Sequence, residues 1–106
     1  TGKTMAFLLP TLHRLLISEE PQKLPYALVL APTRELTIQI GEEARKLLQF
    51  TDYGVATIIG GTDYKSQEEA LNNQACIIVA TPGRLIDFVK NNRLSLENIQ
   101  VVVLDE

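Results

Sequence analysis

Apolar positions along the chain follow two alternating patterns, one with helical spacing and one of short unbroken runs. Leu8, Leu12, Leu15 and Leu16 recur at helical spacing, which predicts a helix from Lys3 to about Ile17. Pro10 is its one discordant residue, because proline has no N–H to give to the preceding turn. A polar, proline-bounded link covers Ser18 to Pro25. Tyr26-Ala27-Leu28-Val29-Leu30-Ala31 is then a continuous apolar run, the pattern of a strand buried on both faces. The next stripe, Leu36, Ile40, Ala44, Leu47 and Leu48, stands opposite Glu42, Glu43, Arg45 and Lys46, as expected of a helix with one face on a core.

The cycle repeats. Val55 to Ile59 reads as a strand, Gly60-Gly61 as a turn, and Tyr64 to about Asn72 as a shorter, polar helix. Cys76 to Ala80 is the next strand. Thr81-Pro82 places a capping hydroxyl before a proline at the first helical position, and the helix runs to about Asn91 with Leu85, Phe88 and Val89 inward. Val101 to Leu104 is a final buried strand. An order of β-α-β-α-β-α-β behind an initial helix predicts an α/β fold, with a parallel sheet, helices on both faces and right-handed crossovers.

Composition narrows the picture only modestly. With 106 residues, 45% apolar and 22% charged, the chain is one domain or part of one. No apolar run approaches the roughly 20 residues that span a bilayer, so no membrane partner is expected. A net charge of −3 gives no general attraction for polyanions, and any such binding must come from local groups. Cys76, the one cysteine, reads as a small buried hydrophobe in its strand. His13 sits in a helix between apolar positions with no second ligand in view, so no metal role is expected of it.

In a parallel sheet every strand-to-helix junction emerges at the carboxyl edge, where ligands bind. The junctions read Gly2-Lys3-Thr4, Ala31-Pro32-Thr33-Arg34-Glu35-Leu36, Gly60-Gly61-Thr62, Ala80-Thr81-Pro82-Gly83-Arg84 and Asp105-Glu106. Gly2-Lys3-Thr4 is the tail of a phosphate-binding loop, G-x-x-x-x-G-K-[ST]. An apolar strand ending in Asp105 and Glu106 is the carboxylate half of a nucleoside-triphosphate site. Both motifs look cut, and the chain starts on Thr1 with its only Met at position 5, so the expectation is a segment bounded within two motifs. Taken singly, Gly2-Lys3-Thr4 could be an ordinary helix start, Gly60-Gly61 a plain turn, and Arg34 and Arg84 solvated surface residues. Pro32-Thr33 and Thr81-Pro82 serve as helix-start chemistry under either reading, since the cap is what exposes the amides. Tyr53 and Tyr64 read as packing residues rather than base-stacking ones.

Together, TGKT, APTREL, IGG, TPGR and VLDE, in this order, resemble the DEAD-box family of ATP-dependent RNA helicases along essentially the whole chain. APTREL and TPGR favour that group over its DEAH and DExH sisters. The resemblance implies a P-loop NTPase, RecA-like three-layer fold, incomplete here, with ATP and Mg²⁺ as cofactors. It also implies a single RNA strand bound through its backbone, a second RecA-like domain as partner, and a cytoplasmic location. Gly2, Lys3 and Thr4 would bind the β- and γ-phosphates and the metal, and Asp105 would hold the metal through water. Lys3 and Glu106 would be catalytic, Glu106 orienting and deprotonating the attacking water. Pro32, Thr33, Arg34, Gly61, Thr81, Gly83 and Arg84 would lie along RNA phosphates and riboses, with Glu35 bracing a neighbouring loop arginine. Two rivals stay open: a DNA-directed superfamily 2 helicase or translocase, and a fragment that binds nucleic acid without turnover.

Overall fold

In chain order the elements are α1 (Gly2–Ile17), β1 (Ala27–Leu30), α2 (Arg34–Leu48), β2 (Gly54–Ile58), α3 (Tyr64–Asn72), β3 (Ala75–Ala80), α4 (Pro82–Lys90) and β4 (Val101–Leu104). They come from a computed structural model, which describes residues 2–61 and 63–105. The strands form one sheet in the order β2-β3-β1-β4, parallel throughout. This is the predicted α/β arrangement, and the strand order explains the layers. The chain leaves β1 in one direction to reach β2 and returns in the other to reach β3 and then β4. A crossover of fixed hand lays its helix on one face going out and on the opposite face coming back.

The two faces follow that rule. Leu8, Leu12 and Leu15 of α1 join Ile40, Ala44 and Leu48 of α2 over Val29, Ile77 and Val79. On the other side Leu85 and Phe88 of α4, with Tyr64 and Leu71 of α3, cover Leu28, Ile58 and Ile78. All six residues of the inner strand β3 are buried. There burial pushes the Cys76 thiol from an ordinary value of 9.0 up to about 12, because the thiolate would lose its hydration. Helix α1 continues through Pro10 without a break. Pro10 and Ala6 are both exposed, so water can serve the carbonyl that proline leaves unpaired.

Four expectations need correction. Strand β4 is not buried: Val103 is covered by α1, but Val102 is 56% and Leu104 67% exposed. Among the described residues it pairs with β1 alone and has no helix on its second face, and an apolar run does not reveal how many neighbours a strand has. The helix stripes are also narrower than predicted, with Leu16, Leu47 and Val89 exposed. Each sits beside a residue that faces inward (Leu15, Leu48, Phe88), and neighbours on a helix diverge by about 100°, so only one of each pair can reach the core. The other two, the Thr81 cap and the Glu35 brace, belong with the site.

Candidate active site at the carboxyl edge

Sheet register brings the strand tips level. Leu30 pairs with both Ala80 and Leu104, and Ile58 pairs with Ala80. Just beyond the tips the chain is stitched again: Ala31 N–H donates to Ala80 O, Thr81 N–H to Ile58 O and Asp105 N–H to Leu30 O, at 3.0, 3.1 and 2.8 Å. Each loop that follows is therefore fixed at its root. From β2 to β4 the row spans three strand spacings, about 14 Å.

At the β4 end, the amino terminus of α1 meets the strand tip. Thr4 is 3% exposed, and its hydroxyl donates to Asp105 Oδ2 at 2.5 Å, joining residues 101 positions apart. Gly2 and Lys3 lie beside it, exposed. Lys3 makes no ion pair among the described residues, and no acidic residue occupies the first turn. The result is a cavity of about 660 Å³ lined by Gly2, Lys3, Thr4, Phe7, Leu104 and Asp105. Its floor is a helix amino terminus, whose unpaired N–H groups and partial positive charge attract anions. Among the described residues no three His, Cys, Asp or Glu side chains cluster to make a closed metal cage. One hydroxyl and one carboxylate are hard oxygen donors that suit Mg²⁺, an ion usually held by few protein ligands together with phosphate and water. Glu106 lies outside the described residues.

The other three tips carry the remaining predicted residues. Pro32, Thr33 and Arg34 are exposed at the start of α2, where the Thr33 hydroxyl accepts from Leu36 N–H at 3.2 Å. Arg34 donates from Nη1 to Gly60 O at 2.7 Å, tying the β1 loop to the β2 loop. Gly61 has φ of +76°, a conformation that favours glycine, and a Cβ there would come within 2.8 Å of Arg34 Nη1. Glu35 was expected to brace a loop arginine, but it makes no ion pair among the described residues. The loop arginine beside it is held instead by the Gly60 carbonyl.

Thr81 precedes α4 with Pro82 in the first turn, yet its hydroxyl makes no capping bond. Its backbone carries the junction, accepting from Leu85 N–H at 3.1 Å, and the hydroxyl is left to face other partners. Gly83 is exposed, and a Cβ there would meet nothing within 4 Å, so packing does not require glycine. Glycine there leaves the amides of the α4 amino terminus open to close approach. Pro32, Pro82 and Asp105 line a further cavity of about 450 Å³ between this half of the edge and the Thr4 corner.

Arg84 turns back over α3. Its guanidinium lies 4.7 Å from the Tyr64 ring centroid and 5.5 Å from that of Phe88, and the two rings stack at 4.1 Å. Tyr64 contributes a ring surface rather than a hydrogen bond, since its Oη is buried with no partner among the described residues. Beneath the arginine sits Gln67, 6% exposed, which donates to Ile59 O at 2.8 Å and accepts from Arg84 Nε at 3.4 Å. The sequence reading passed over Gln67. The signal was a polar residue on the inward face of α3, three after Tyr64 and four before Leu71.

A family model described as DEAD/DEAH box helicase matches residues 1–106. The chain is 50% identical over 107 residues to the ATP-dependent RNA helicase RhlB of Pseudoalteromonas atlantica, an alignment covering 100% of this chain and 25% of that protein. Among solved structures, the RNA helicase Prp28 from Chaetomium thermophilum bound to ADP is 50% identical with a TM-score of 0.84, covering 99% of this chain and 26% of that one. The yeast DEAD-box splicing factor Prp28 gives a TM-score of 0.88 at 38% identity, with the same coverages of 99% and 26%. The chain thus spans about a quarter of the length of the relatives it matches.

Proposed function

The chain belongs to the DEAD/DEAH box helicase family, and from that membership we propose that it is the central part of the first RecA-like domain of an ATP-dependent RNA helicase. ATP and Mg²⁺ occupy the corner between α1 and β4, and one RNA strand lies along the tips of β1, β2 and β3. The contact between the Thr4 hydroxyl and Asp105 carries this reading, because it joins the two halves of a nucleotide site from opposite ends of the sequence. No helix among the described residues is long and apolar enough to cross a membrane, and the proposal places the protein in the cytoplasm.

Bound Mg-ATP supplies the phosphoryl group that passes to water. Gly2 N–H and the Lys3 ammonium would hold the β- and γ-phosphates, the Thr4 hydroxyl would hold the metal, and the Asp105 carboxylate would hold it through water. Glu106 orients the attacking water and accepts its proton. On the other half of the edge, Pro32, Thr33, Arg34, Gly61, Thr81, Gly83 and Arg84 offer amides, hydroxyls and guanidinium groups to phosphates and riboses. Contacts of that kind fix a strand in place without reading its bases. A second RecA-like domain closes over both ligands, and ATP favours closure through contacts present only in that state.

In the full-length protein, Lys3→Ala should impair nucleotide binding, while Glu106→Gln should spare binding and slow hydrolysis. RNA should stimulate the wild-type ATPase more strongly than DNA does. Retained turnover in both variants would remove the site assignment, and stronger stimulation by DNA would replace RNA as the substrate.

A further inference from the structure

We propose that Gln67 is a positioning residue that locks the Ile59–Gly61 loop and the Arg84 guanidinium into one nucleic-acid-binding unit. The inference rests on the RNA reading of the β2 and β3 tips. Gln67 is bonded to both: its amide nitrogen donates to Ile59 O at the root of the glycine loop, and its amide oxygen accepts from Arg84 Nε. Burial makes this arrangement exacting, because at 6% exposure water cannot readily replace either partner. Carboxamide is also the group the site needs, since a single planar unit must donate on one side and accept on the other.

The surroundings fix Arg84 from its remaining directions. Tyr64, one turn before Gln67 on α3, lies under the guanidinium, and Asp87 sits 3.8 Å from Nη1 as a partly exposed ion pair. The Nε–H is thereby bonded to Gln67, and the Tyr64 ring and Asp87 hold the rest of the guanidinium in place behind the β3 tip. A flexible arginine would have to lose its rotamer freedom at each binding event, whereas one already held by Gln67 and Tyr64 binds without that entropy cost. Arg34 closes the circuit, since it grips Gly60 O in the loop that Gln67 anchors at Ile59.

The test uses the full-length protein and compares Gln67→Met, Arg84→Ala and the double variant. Methionine matches the length of glutamine and fills irregular space, so packing is kept while the hydrogen bonds to Ile59 and Arg84 are lost. Affinity for a single-stranded RNA is measured by fluorescence anisotropy with a non-hydrolysable ATP analogue, and affinity for ADP without RNA. Gln67→Met should weaken RNA roughly tenfold and leave ADP within about twofold, and adding it to Arg84→Ala should cost little more. Unchanged RNA affinity, or full additivity with Arg84→Ala, would overturn the proposal. A merely structural role predicts instead that ADP and RNA affinity fall together. If Arg84→Ala alone leaves RNA binding intact, the fault lies in the RNA reading itself. Should the methionine variant not fold, the wild-type Arg84 Nε–H resonance decides: slow solvent exchange is expected, and exchange as fast as that of exposed Arg93 would refute the anchoring.

Discussion

Replacing Thr4 by valine separates what the Thr4–Asp105 contact does for the fold from what it does for a ligand. The side chain is 3% exposed and its hydroxyl donates to Asp105, so valine keeps the shape and deletes one hydrogen bond to a carboxylate. Bonds to charged groups contribute about 1.5–3 kcal/mol when both partners are sequestered. Asp105 is only partly buried, and water can take the vacated lone pair, which places the cost at about 1 kcal/mol. For a domain of 150–250 residues that corresponds to a melting shift of about 2–4 °C. Magnesium-dependent nucleotide affinity should fall much further, by tenfold or more, roughly 1.4 kcal/mol, because a metal ligand is gone. Calorimetric titration of the full-length variant with ADP, with and without Mg²⁺, reads this directly. The magnesium enhancement should shrink while the metal-free affinity stays near wild type. An intact enhancement, or a stability loss above about 3 kcal/mol, would show that the contact is a structural pillar and not half of a metal site.

Other positions give independent checks. Gly61→Ala should cost about 1–2 kcal/mol from its positive φ and also push Arg34 off Gly60, weakening RNA binding, whereas Gly83→Ala should leave stability unchanged in a urea titration. Phe88 is fully buried between α3, α4 and the sheet, so Phe88→Ala should lower the unfolding free energy by about 3–5 kcal/mol; a loss below 1 kcal/mol would mean that the second core is not packed as described. Cys76 should resist alkylation in the folded protein at pH 8 and react promptly in denaturant. Its thiol titrates near 12 when folded and near 9.0 otherwise, so above pH 9 the unfolded chain binds fewer protons. That part of the stability is complete below pH 9 and is lost as the pH rises toward 12, which pH-dependent urea midpoints would register.

Sequence and structure agree most closely where a residue's neighbours decide its fate. Cys76 to Ala80 is apolar at every position and is buried at every position, because an inner parallel strand has helices on both sides. The same pattern in Val101 to Leu104 is half exposed, since among the described residues β4 pairs with β1 alone, and a run of valines records affinity for a core and not the number of partners present. Leu47 and Val89 fail for a related reason, as stripe width depends on what each helix rests against. The motif residues were legible as loops on one edge, but their bonds were not. Arg34 with Gly60, and Gln67 with Ile59 and Arg84, are contacts across separate elements that no local pattern encodes.

The central claim is that one corner of the sheet edge gathers Gly2, Lys3, Thr4 and Asp105 around magnesium-bound ATP. A metal-specificity switch tests it most directly: Thr4→Cys in the full-length protein, with RNA-stimulated ATP hydrolysis measured in Mg²⁺ and in Mn²⁺ or Cd²⁺. A sulfur donor disfavours hard magnesium and accepts softer ions, so activity should collapse in Mg²⁺ and recover in Mn²⁺ or Cd²⁺. Undiminished hydrolysis in Mg²⁺, with no change in metal preference, would contradict the account.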